Sequence, residues 1–300
     1  MGTNKEPLGG IGGTFSAMPD IVTAHPWQRT LPERKVAHRN CPSCKMDNSG
    51  RLPSRYSRYP WTIRNCAGCG FVYIDSAPHY DMLVEEMDWD TTWAAEDKHR
   101  KTTYKLTYGI DNLTRWRLRL GKPNPSSFIR RHVSGGRVLD LGCGGGSADL
   151  AEFFEPYGIE ISRSLAKKAD VFFKKHGGYA INAPCIEGLR QFPAGFFDAC
   201  VARSYLEHET NPLDVLKEVF RALKPAGVLA VKVPNFATVN RLVMGRKWCG
   251  FRYPDHLNYF TPASLSAMAK IAGFSTSFRW RDRLPTDDNM WAVLRRPAAS

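Results

Sequence analysis

The feature that most constrains this chain is a short apolar run that leads directly into a glycine-rich turn, at residues 137–147. Residues 138–141 are apolar except for Asp140, which is the pattern of a buried strand in a parallel sheet. Residues 142–146 contain four glycines, which let a backbone turn sharply and approach a ligand closely. A helix-compatible stretch follows at residues 147–154. A strand, a glycine turn and a helix start together predict a cradle for a nucleotide-type ligand.

From residue 137 onward, strand and helix patterns alternate, which predicts an α/β fold. Strands are expected at residues 137–141, 157–161, 178–182, 196–202, 227–233, 275–281 and 290–296. Helices are expected at residues 147–154, 163–176, 212–223 and 262–272, with two more at 97–120 and 126–132 before the sheet. Such alternation predicts a parallel sheet with right-handed crossovers, whose ligands bind beyond the carboxyl ends of the strands.

Several short motifs resemble those of the class I S-adenosylmethionine (SAM)-dependent methyltransferases. The first, Val138-Leu139-Asp140-Leu141-Gly142-Cys143-Gly144, resembles motif I of that family. The others are Leu206-Glu207-His208 with Asn211-Pro212, Leu223-Lys224-Pro225-Ala226-Gly227 and Val233-Pro234-Asn235. The glycine spacing also favours SAM over a dinucleotide, whose turn usually has the spacing G-x-G-x-x-G. The resemblance covers about residues 100–300 and implies a Rossmann-like, seven-stranded class I methyltransferase sheet.

The resemblance also implies where SAM would bind. In that family the glycine turn passes under the amino acid part of SAM, and an acid ending the second strand takes the ribose hydroxyls. Glu160 occupies that place, about 20 residues after Asp140. Asn182 would lie near the adenine, and Ala202 would lie near the methionine part. The implied cofactor-binding residues are Asp140, Gly142, Cys143, Gly144, Glu160, Ile161, Asn182, Ala202 and Arg203.

Two Cys-x-x-Cys pairs precede the sheet and predict a metal site. Cys41 and Cys44 form the first pair, and Cys66 and Cys69 follow after about 20 residues, which is the spacing of a tetrahedral zinc site. The pattern predicts a small N-terminal zinc ribbon whose Zn²⁺ is structural, because such a module is too small for its own core. A redox pair is the alternative. Four arginines between the pairs would also permit contact with RNA.

A late loop at residues 251–262 carries the residue types of a proton-transfer site. His256 is the candidate general base, because the reference pKa of histidine, about 6.5, lies near working pH. The alternative is that His256 only packs the loop or caps the helix predicted to begin after Thr261. Tyr253 and Asp255 are its neighbours in the sequence.

This loop resembles the Tyr-x-(Glu/Asp)-His-x-x-Tyr-Phe segment of zinc-ribbon-bearing deoxysugar C-methyltransferases. In those enzymes the histidine is a candidate base that removes a proton next to a keto group. The resemblance implies catalytic roles for His256, Tyr253 and Asp255, with Tyr253 positioning the acceptor. The sugar enzymes carry a further C-terminal domain that this sequence lacks after its last strand, so O-methylation of a hydroxyl is an equal alternative.

Glu207 and His208 have two interpretations. A similar segment helps to bind a divalent metal in ubiquinone-pathway O-methyltransferases, but Ser204 stands where that pattern has an additional acid. The other interpretation is a pair that caps a helix and shapes the pocket, which we favour.

The chain is predicted to comprise four parts: a flexible tail (1–30), the zinc ribbon (31–75), a helical connector that covers the pocket (76–135) and the SAM-binding methyltransferase domain (136–300). The formal net charge of +13 is spread along the chain and favours an anionic small-molecule acceptor, with weaker affinity for polyanions. No apolar run approaches the roughly 18 residues of a membrane span, and no signal peptide begins the chain. We therefore expect a cytoplasmic protein without a membrane partner; no feature predicts its oligomeric state.

Three functions are compatible with these patterns. The first is a SAM-dependent methyltransferase acting on a sugar, a nucleotide sugar or a natural-product intermediate. The second is a zinc-ribbon rRNA or tRNA base methyltransferase, although the segment after the fourth strand lacks the Asn/Asp-Pro-Pro-Tyr pattern used for many exocyclic amines. The third is a non-enzymatic platform, which the intact glycine turn and its acids argue against.

Overall fold

The computed structural model describes residues 36–78, 125–253 and 255–298. The predicted tail at 1–30 and the predicted helix at 97–120 lie outside the described residues. The strands are β1 (Val36–His38), β2 (Ile63–Asn65), β3 (Val72–Ile74), β4 (Ser76–Pro78), β5 (Arg137–Leu141), β6 (Glu155–Glu160), β7 (Ala180–Asn182), β8 (Phe197–Arg203), β9 (Leu223–Pro234), β10 (Asn258–Tyr259), β11 (Ser275–Ser277) and β12 (Asn289–Arg295). The α-helices are α1 (Pro125–Ile129), α2 (Ala148–Ala151), α3 (Arg163–Lys174), α4 (Cys185–Arg190), α5 (Pro212–Ala222), α6 (Val239–Met244) and α7 (Pro262–Ile271).

The central element is a seven-stranded sheet with the spatial order β11-β12-β9-β8-β5-β6-β7. The five strands from β9 to β7 are parallel, whereas β12 runs antiparallel to both β9 and β11. The chain leaves β5 first toward β6 and then returns to β8 on its other side, so the strand order reverses at β5. The predicted α/β fold is confirmed, and its switch point lies at the carboxyl end of β5.

The central strands are apolar because both faces of the sheet are covered. Leu139 and Leu141 of β5 belong to the hydrophobic cluster on one face, and Val138 belongs to the cluster on the other. All three are at most 1% exposed. This two-sided burial accounts for the nearly continuous apolar run, in place of the alternation of a half-exposed strand.

The helix predicted after residue 261 begins as its sequence indicates. The hydroxyl of Thr261 accepts a hydrogen bond from the amide of Ser264, and the Ser264 hydroxyl accepts one from the amide of Thr261, which together form a capping box. Pro262 stands at the first helical position, where a missing N–H costs nothing.

The sequence did not predict six of these helices and strands: β1, β2, β4, β10, α4 and α6. α4 and α6 are each six residues long, and α6 buries none of its residues, leaving its apolar side chains Val239, Leu242 and Val243 exposed. β10 has only two residues and pairs with β3, a strand from a distant part of the chain. The helix after the glycine turn is also shorter than predicted, because β6 already begins at Glu155.

The region of the Cys pairs packs directly against the sheet domain. β2, β3 and β10 form a three-stranded antiparallel sheet in the order β10-β3-β2. Phe71 and Tyr73 belong to the same hydrophobic cluster as Leu139, and the ring of Phe71 lies 5.2 Å from that of Phe260. β4 pairs with β1 beyond the predicted ribbon end at residue 75. The four-part division itself stays a prediction. Within the described ranges, no helix is both long and apolar enough to cross a membrane.

Asp288 fastens the chain after β9 to the segment that leads into β12. Its carboxylate is buried and accepts hydrogen bonds from Trp248 Nε1 at 2.6 Å, Asn240 Nδ2 at 2.8 Å and Cys249 Sγ at 3.4 Å. Asp288→Ala is therefore expected to lower the free energy of unfolding by about 3 kcal/mol, since hydrogen bonds to a charged group contribute ~1.5–3 kcal/mol each. Urea denaturation measures this loss. The neighbouring exposed Asp287→Ala is the control, and an equal effect of both substitutions would contradict the assignment.

Candidate active site

The glycine turn after β5 adopts backbone conformations that other residues resist. Gly142 and Gly144 have φ angles of 63° and 56°, in the left-handed region. A Cβ on Gly142 would lie 2.8 Å from the ring of Tyr205, whereas a Cβ on Gly144 would meet nothing within 4 Å. The turn is thus packed against Tyr205 at Gly142 and open at Gly144. An open, side-chain-free turn at the switch point fits the amino acid part of SAM.

Glu160, at the carboxyl end of β6, lies against this turn. Its two carboxylate oxygens accept hydrogen bonds from the amides of Gly144 and Ser162, both at 2.9 Å. The side chain of Asn182, at the end of β7, donates to the carbonyls of Glu160 at 3.0 Å and Ile161 at 2.8 Å. The structure therefore brings Gly144, Glu160, Ile161 and Asn182 into one corner, at the carboxyl ends of neighbouring strands. A carboxylate and an amide in that place fit a ribose and a base.

Asp140 and Cys143 support the turn from inside the protein. Asp140 is buried and accepts a hydrogen bond from the Ser147 hydroxyl, and burial raises the pKa of Asp140 to about 6. The side chain of Cys143 packs with Ala169 and Phe173, and its amide donates to the carbonyl of Ile159 at 3.3 Å. These contacts give both residues the task of shaping the turn, and their predicted contact with SAM stays a prediction.

The carboxyl end of β8 lies beside the glycine turn, on the opposite side of β5 from Glu160. The side chain of Ala202 is fully buried. Arg203 is exposed, and its positive charge only partly offsets the burial that raises the pKa of Asp140. Ser204 follows with a φ of 54°, which a non-glycine residue seldom adopts. Its amide donates to the carbonyl of Lys232 at 2.8 Å, which holds this strained position. Such strain is common where a chain must turn at a functional site.

His256 lies next to Glu207 and His208. The potential metal-binding atoms of the three side chains lie within 4.8 Å of one another, and the rings of His256 and His208 are 4.8 Å apart at their centroids. His256 Nδ1 is 2.8 Å from the carbonyl oxygen of Gly250. Because a carbonyl can only accept, Nδ1 carries the hydrogen in this bond, and the basic nitrogen of the neutral ring is Nε2.

Burial sets the ionisation of this cluster. Glu207 is 1% exposed, and its Oε2 has no hydrogen-bond partner among the described residues. Burial raises the pKa of Glu207 to about 7. Burial, followed by the positive charge of Arg252, lowers the pKa of His208 to about 3 and keeps that ring neutral. The arrangement suits the exchange of one proton, and it also suits a divalent ion, so both interpretations of Glu207 and His208 stay predictions.

Tyr253 and Asp255 have partners outside the cluster of Glu207, His208 and His256. The Tyr253 hydroxyl is buried and donates to the backbone carbonyl of Tyr56 at 2.5 Å, so it links the loop to the ribbon. The Tyr253 hydroxyl therefore donates its hydrogen outside the cluster, and its role in positioning the acceptor stays a prediction. Asp255 forms an ion pair with Arg252 at 3.0 Å. Of the three predicted catalytic residues, only His256 lies in the cluster with Glu207.

The four cysteines come together as the spacing predicts. Cys41 and Cys69 have their sulfurs 3.6 Å apart, and those of Cys44 and Cys66 are 3.4 Å apart. A tetrahedral ion with bonds of about 2.3 Å would hold its sulfurs about 3.8 Å apart. All four sulfurs lie within 4.8 Å of one another. The donor set and its spacing therefore fit one zinc ion.

Residues 108–276, more than half of the chain, match the family described as "Methyltransferase domain". The "Ubiquinone biosynthesis O-methyltransferase" of Chromobacterium violaceum is 32% identical over 165 residues, which cover 49% of this chain and 68% of that protein. The protein of the same name from Paraburkholderia phymatum is 29% identical over 162 residues, covering 49% and 67%. The chain belongs to the methyltransferase domain family, and it is a SAM-dependent methyltransferase.

Among solved structures, a SAM-dependent methyltransferase from Methanosarcina mazei is similar, with 18% identity and a TM-score of 0.44. The similarity covers 60% of this chain and 100% of that chain.

The structure adds two site residues that the sequence left undecided. Glu207 and His208 carry a motif, but the motif alone does not say that a loop more than 40 residues later brings His256 to them. The contact is made by the backbone amides of Leu257 and Asn258, which donate to the carbonyl of Glu207, so no side-chain pattern in the sequence could have signalled it.

The raised pKa of Glu207 predicts a specific pH dependence of stability. The pKa is about 7 in the folded protein against an ordinary 4.5, so the folded state keeps a proton that the unfolded chain releases. The contribution of Glu207 protonation to the free energy of unfolding is about 3 kcal/mol. It is fully present below pH 4.5 and is lost as the pH rises from 4.5 to 7. The free energy of unfolding of the wild type, minus that of Glu207→Gln, should fall by this amount between pH 4.5 and 8.

Urea denaturation across this pH range measures the difference. Glu152→Gln, which changes an exposed glutamate at the end of α2, is the matched control. A difference between the wild type and Glu207→Gln that stays constant or rises with pH would show that Glu207 is ionised in the folded protein.

Proposed function

We propose that this SAM-dependent methyltransferase transfers its methyl group to a small-molecule acceptor from which His256 removes a proton. The observation that carries the proposal is the cluster of Glu207, His208 and His256 after the end of β8, in which Glu207 and His256 are buried and His208 is half-buried. Tyr205, two residues before Glu207, packs against Gly142 of the glycine turn at the switch point, where a bound methyl donor and an acceptor would meet. The similarity to ubiquinone biosynthesis O-methyltransferases favours an acceptor with a hydroxyl, and the sequence of the His256 loop favours an acceptor with an enolisable carbon.

In the proposed site, Glu160 holds the ribose hydroxyls, and the open side of the turn at Gly144 faces the amino acid part of the donor. SAM supplies an activated methyl group and its own leaving group. The chain therefore has to align the acceptor in line with that group and exclude water. Cys41, Cys44, Cys66 and Cys69 would hold a structural zinc ion, which adds nothing to the chemistry of transfer.

The hydrogen bonding of His256 determines which ring nitrogen can take the proton of the acceptor. Its Nδ1 hydrogen is fixed on the carbonyl of Gly250, so the lone pair of Nε2 is the base. The acceptor would give its proton to Nε2, and its oxygen or carbon would take the methyl group as the bond between that methyl and the sulfonium sulfur breaks. Glu207, whose pKa is raised to about 7, lies beside the resulting imidazolium and can compensate its charge when ionised. Neutral His208 can form a hydrogen bond with the methyl acceptor, either as the donor or as the acceptor of that bond.

The test is methyl transfer from labelled SAM by the full chain. The acceptors are a panel of hydroxyl-bearing ring compounds, nucleotide-linked keto sugars, and total RNA in a separate reaction. Label should appear in small molecules and not in RNA. RNA stays the alternative because the ribbon carries basic side chains, although Arg64 is already paired with Asp75 at 2.5 Å. Label in RNA alone would overturn the proposal.

A further inference from the structure

Two chain segments that are distant in sequence build the cluster around His256. One is the segment after β8 that carries Glu207 and His208, and the other is the loop that carries His256. They are joined at β10, because the amides of Leu257 and Asn258 both donate to the carbonyl of Glu207, at 2.7 Å and 3.0 Å. The position of His256 relative to Glu207 therefore depends on the position of β10.

The side chain of Asn258 completes this junction. Asn258 is 2% exposed, and its Nδ2 donates to the carbonyls of Leu206 at 2.8 Å and Glu209 at 2.6 Å. Its Oδ1 accepts a hydrogen bond from Arg39 Nη2 at 2.7 Å. Only an amide can donate twice on one side and accept from a cation on the other. Asn258 thus spans the carbonyls on either side of Glu207 and His208.

Arg39 reaches Asn258 from the ribbon. It lies two residues before Cys41, and its guanidinium carbon is 5.6 Å from the ring centre of Tyr73. Its pKa is lowered to about 10 by burial, so the group is enclosed but still charged. Its Nε and Nη1 have no hydrogen-bond partner among the described residues. The guanidinium is therefore held by the bond from Nη2 to Asn258.

The backbone of the ribbon holds β10 as well. Tyr73 of β3 stands opposite Asn258, and Val72 stands opposite Tyr259. The amide of Ile74 donates to the carbonyl of Leu257 at 2.9 Å. A strand of two residues has too little pairing of its own to persist, so β10 requires the edge that β3 offers.

We propose that Asn258 and Arg39 are positioning residues for methyl transfer, which with β3 hold His256 against Glu207 and His208. The ribbon is then a working part of the acceptor side of the active site. This inference rests on the proposed function, because it assigns the two residues to the site at which His256 acts. Neither residue touches the reacting atoms, so each acts through the geometry of the cluster.

The first variant is Asn258→Asp, which keeps the size and the acceptor for Arg39 but cannot donate to the two carbonyls. We expect kcat to fall ~100-fold, as a displacement of about 1 Å at a reacting group can cause. The dissociation constant of SAM should change less than about threefold, because Gly144 and Glu160 are untouched. Asn65→Asp is the matched control, since Asn65 is exposed on β2 of the same three-stranded sheet.

The second pair of variants is Arg39→Met and Arg39→Lys. Methionine should reproduce the loss of kcat, and lysine should restore part of it, because its ammonium group can still donate to Asn258. If the two residues act as one link, Arg39→Met combined with Asn258→Asp should cost little more than either alone. Additive losses would show that they act separately and would overturn the inference.

Hydrogen exchange measured by mass spectrometry provides a readout that does not require turnover. With SAM present, residues 250–259 and 206–209 should exchange faster in both loss variants than in the wild type, and chelation of the ribbon metal should have the same effect. Unchanged exchange and unchanged kcat would overturn the inference, and so would a parallel loss of SAM binding. Should the wild type methylate only RNA, the proposed function fails, while exchange at these residues still decides the positioning role.

Discussion

The substitution His256→Asn is expected to reduce methyl transfer by ~10²–10⁴-fold, the usual contribution of a general base, and to leave the affinity for SAM unchanged. Asparagine can still donate to the carbonyl of Gly250, as Nδ1 of His256 does at 2.8 Å. It removes only the ring nitrogen Nε2, which faces away from that bond. The loop should therefore keep its place while the proton acceptor is lost.

The measurement is single-turnover transfer from labelled SAM, together with calorimetric SAM binding. His176→Asn is the matched control, because it makes the same substitution at an exposed histidine after α3, away from the cluster. Undiminished transfer by His256→Asn would rule out the base. Loss of SAM binding along with transfer would show instead that His256 supports the fold of the site.

The second large effect is expected at Glu160. Glu160→Gln should weaken SAM binding ~150-fold, because about 3 kcal/mol is lost when hydrogen bonds to a charged group are removed. The glutamine side chain offers one acceptor oxygen where the carboxylate receives two amides, those of Gly144 and Ser162. The loss should thus combine a weaker hold on the ribose with a less ordered glycine turn.

Calorimetric titration with SAM measures this change. The control is Glu155→Gln, which makes the same substitution at the opposite end of β6. Affinities that fall equally in both variants would show that overall charge, and not the position of Glu160, governs binding. An unchanged affinity in Glu160→Gln would place the ribose elsewhere.

The cofactor side of this protein could be predicted from the sequence because it is local. The strand that ends at Leu141, the glycine turn and the acid at Glu160 lie close together in the chain, and each has a pattern of its own. Parallel pairing of β5 with β6 then brings Glu160 to the turn without further information. The capping box at Thr261 was predictable for the same reason, since it is made by residues three apart.

The acceptor side could be predicted only in part, because long-range contacts define it. His256 was identified by its residue type and by a resemblance, but its meeting with Glu207 depends on β10, and β10 depends on a strand near residue 73. The partner of the Tyr253 hydroxyl could not be predicted for the same reason. No local pattern shows that its hydroxyl meets the carbonyl of Tyr56. A two-residue strand leaves no periodicity by which to recognise it.

The shared packing of the ribbon and the sheet bears on how such enzymes can be recombined. Phe71 and Tyr73 share one hydrophobic cluster with Phe260, so a cut between the two regions would leave apolar surfaces bare on both pieces. A ribbon grafted from a relative would have to bring the loop at residues 246–260 with it. The unit to exchange between relatives is then discontinuous, built from the Cys-pair region and the loop at residues 246–260, and a chimaera joined at a single crossover would break it.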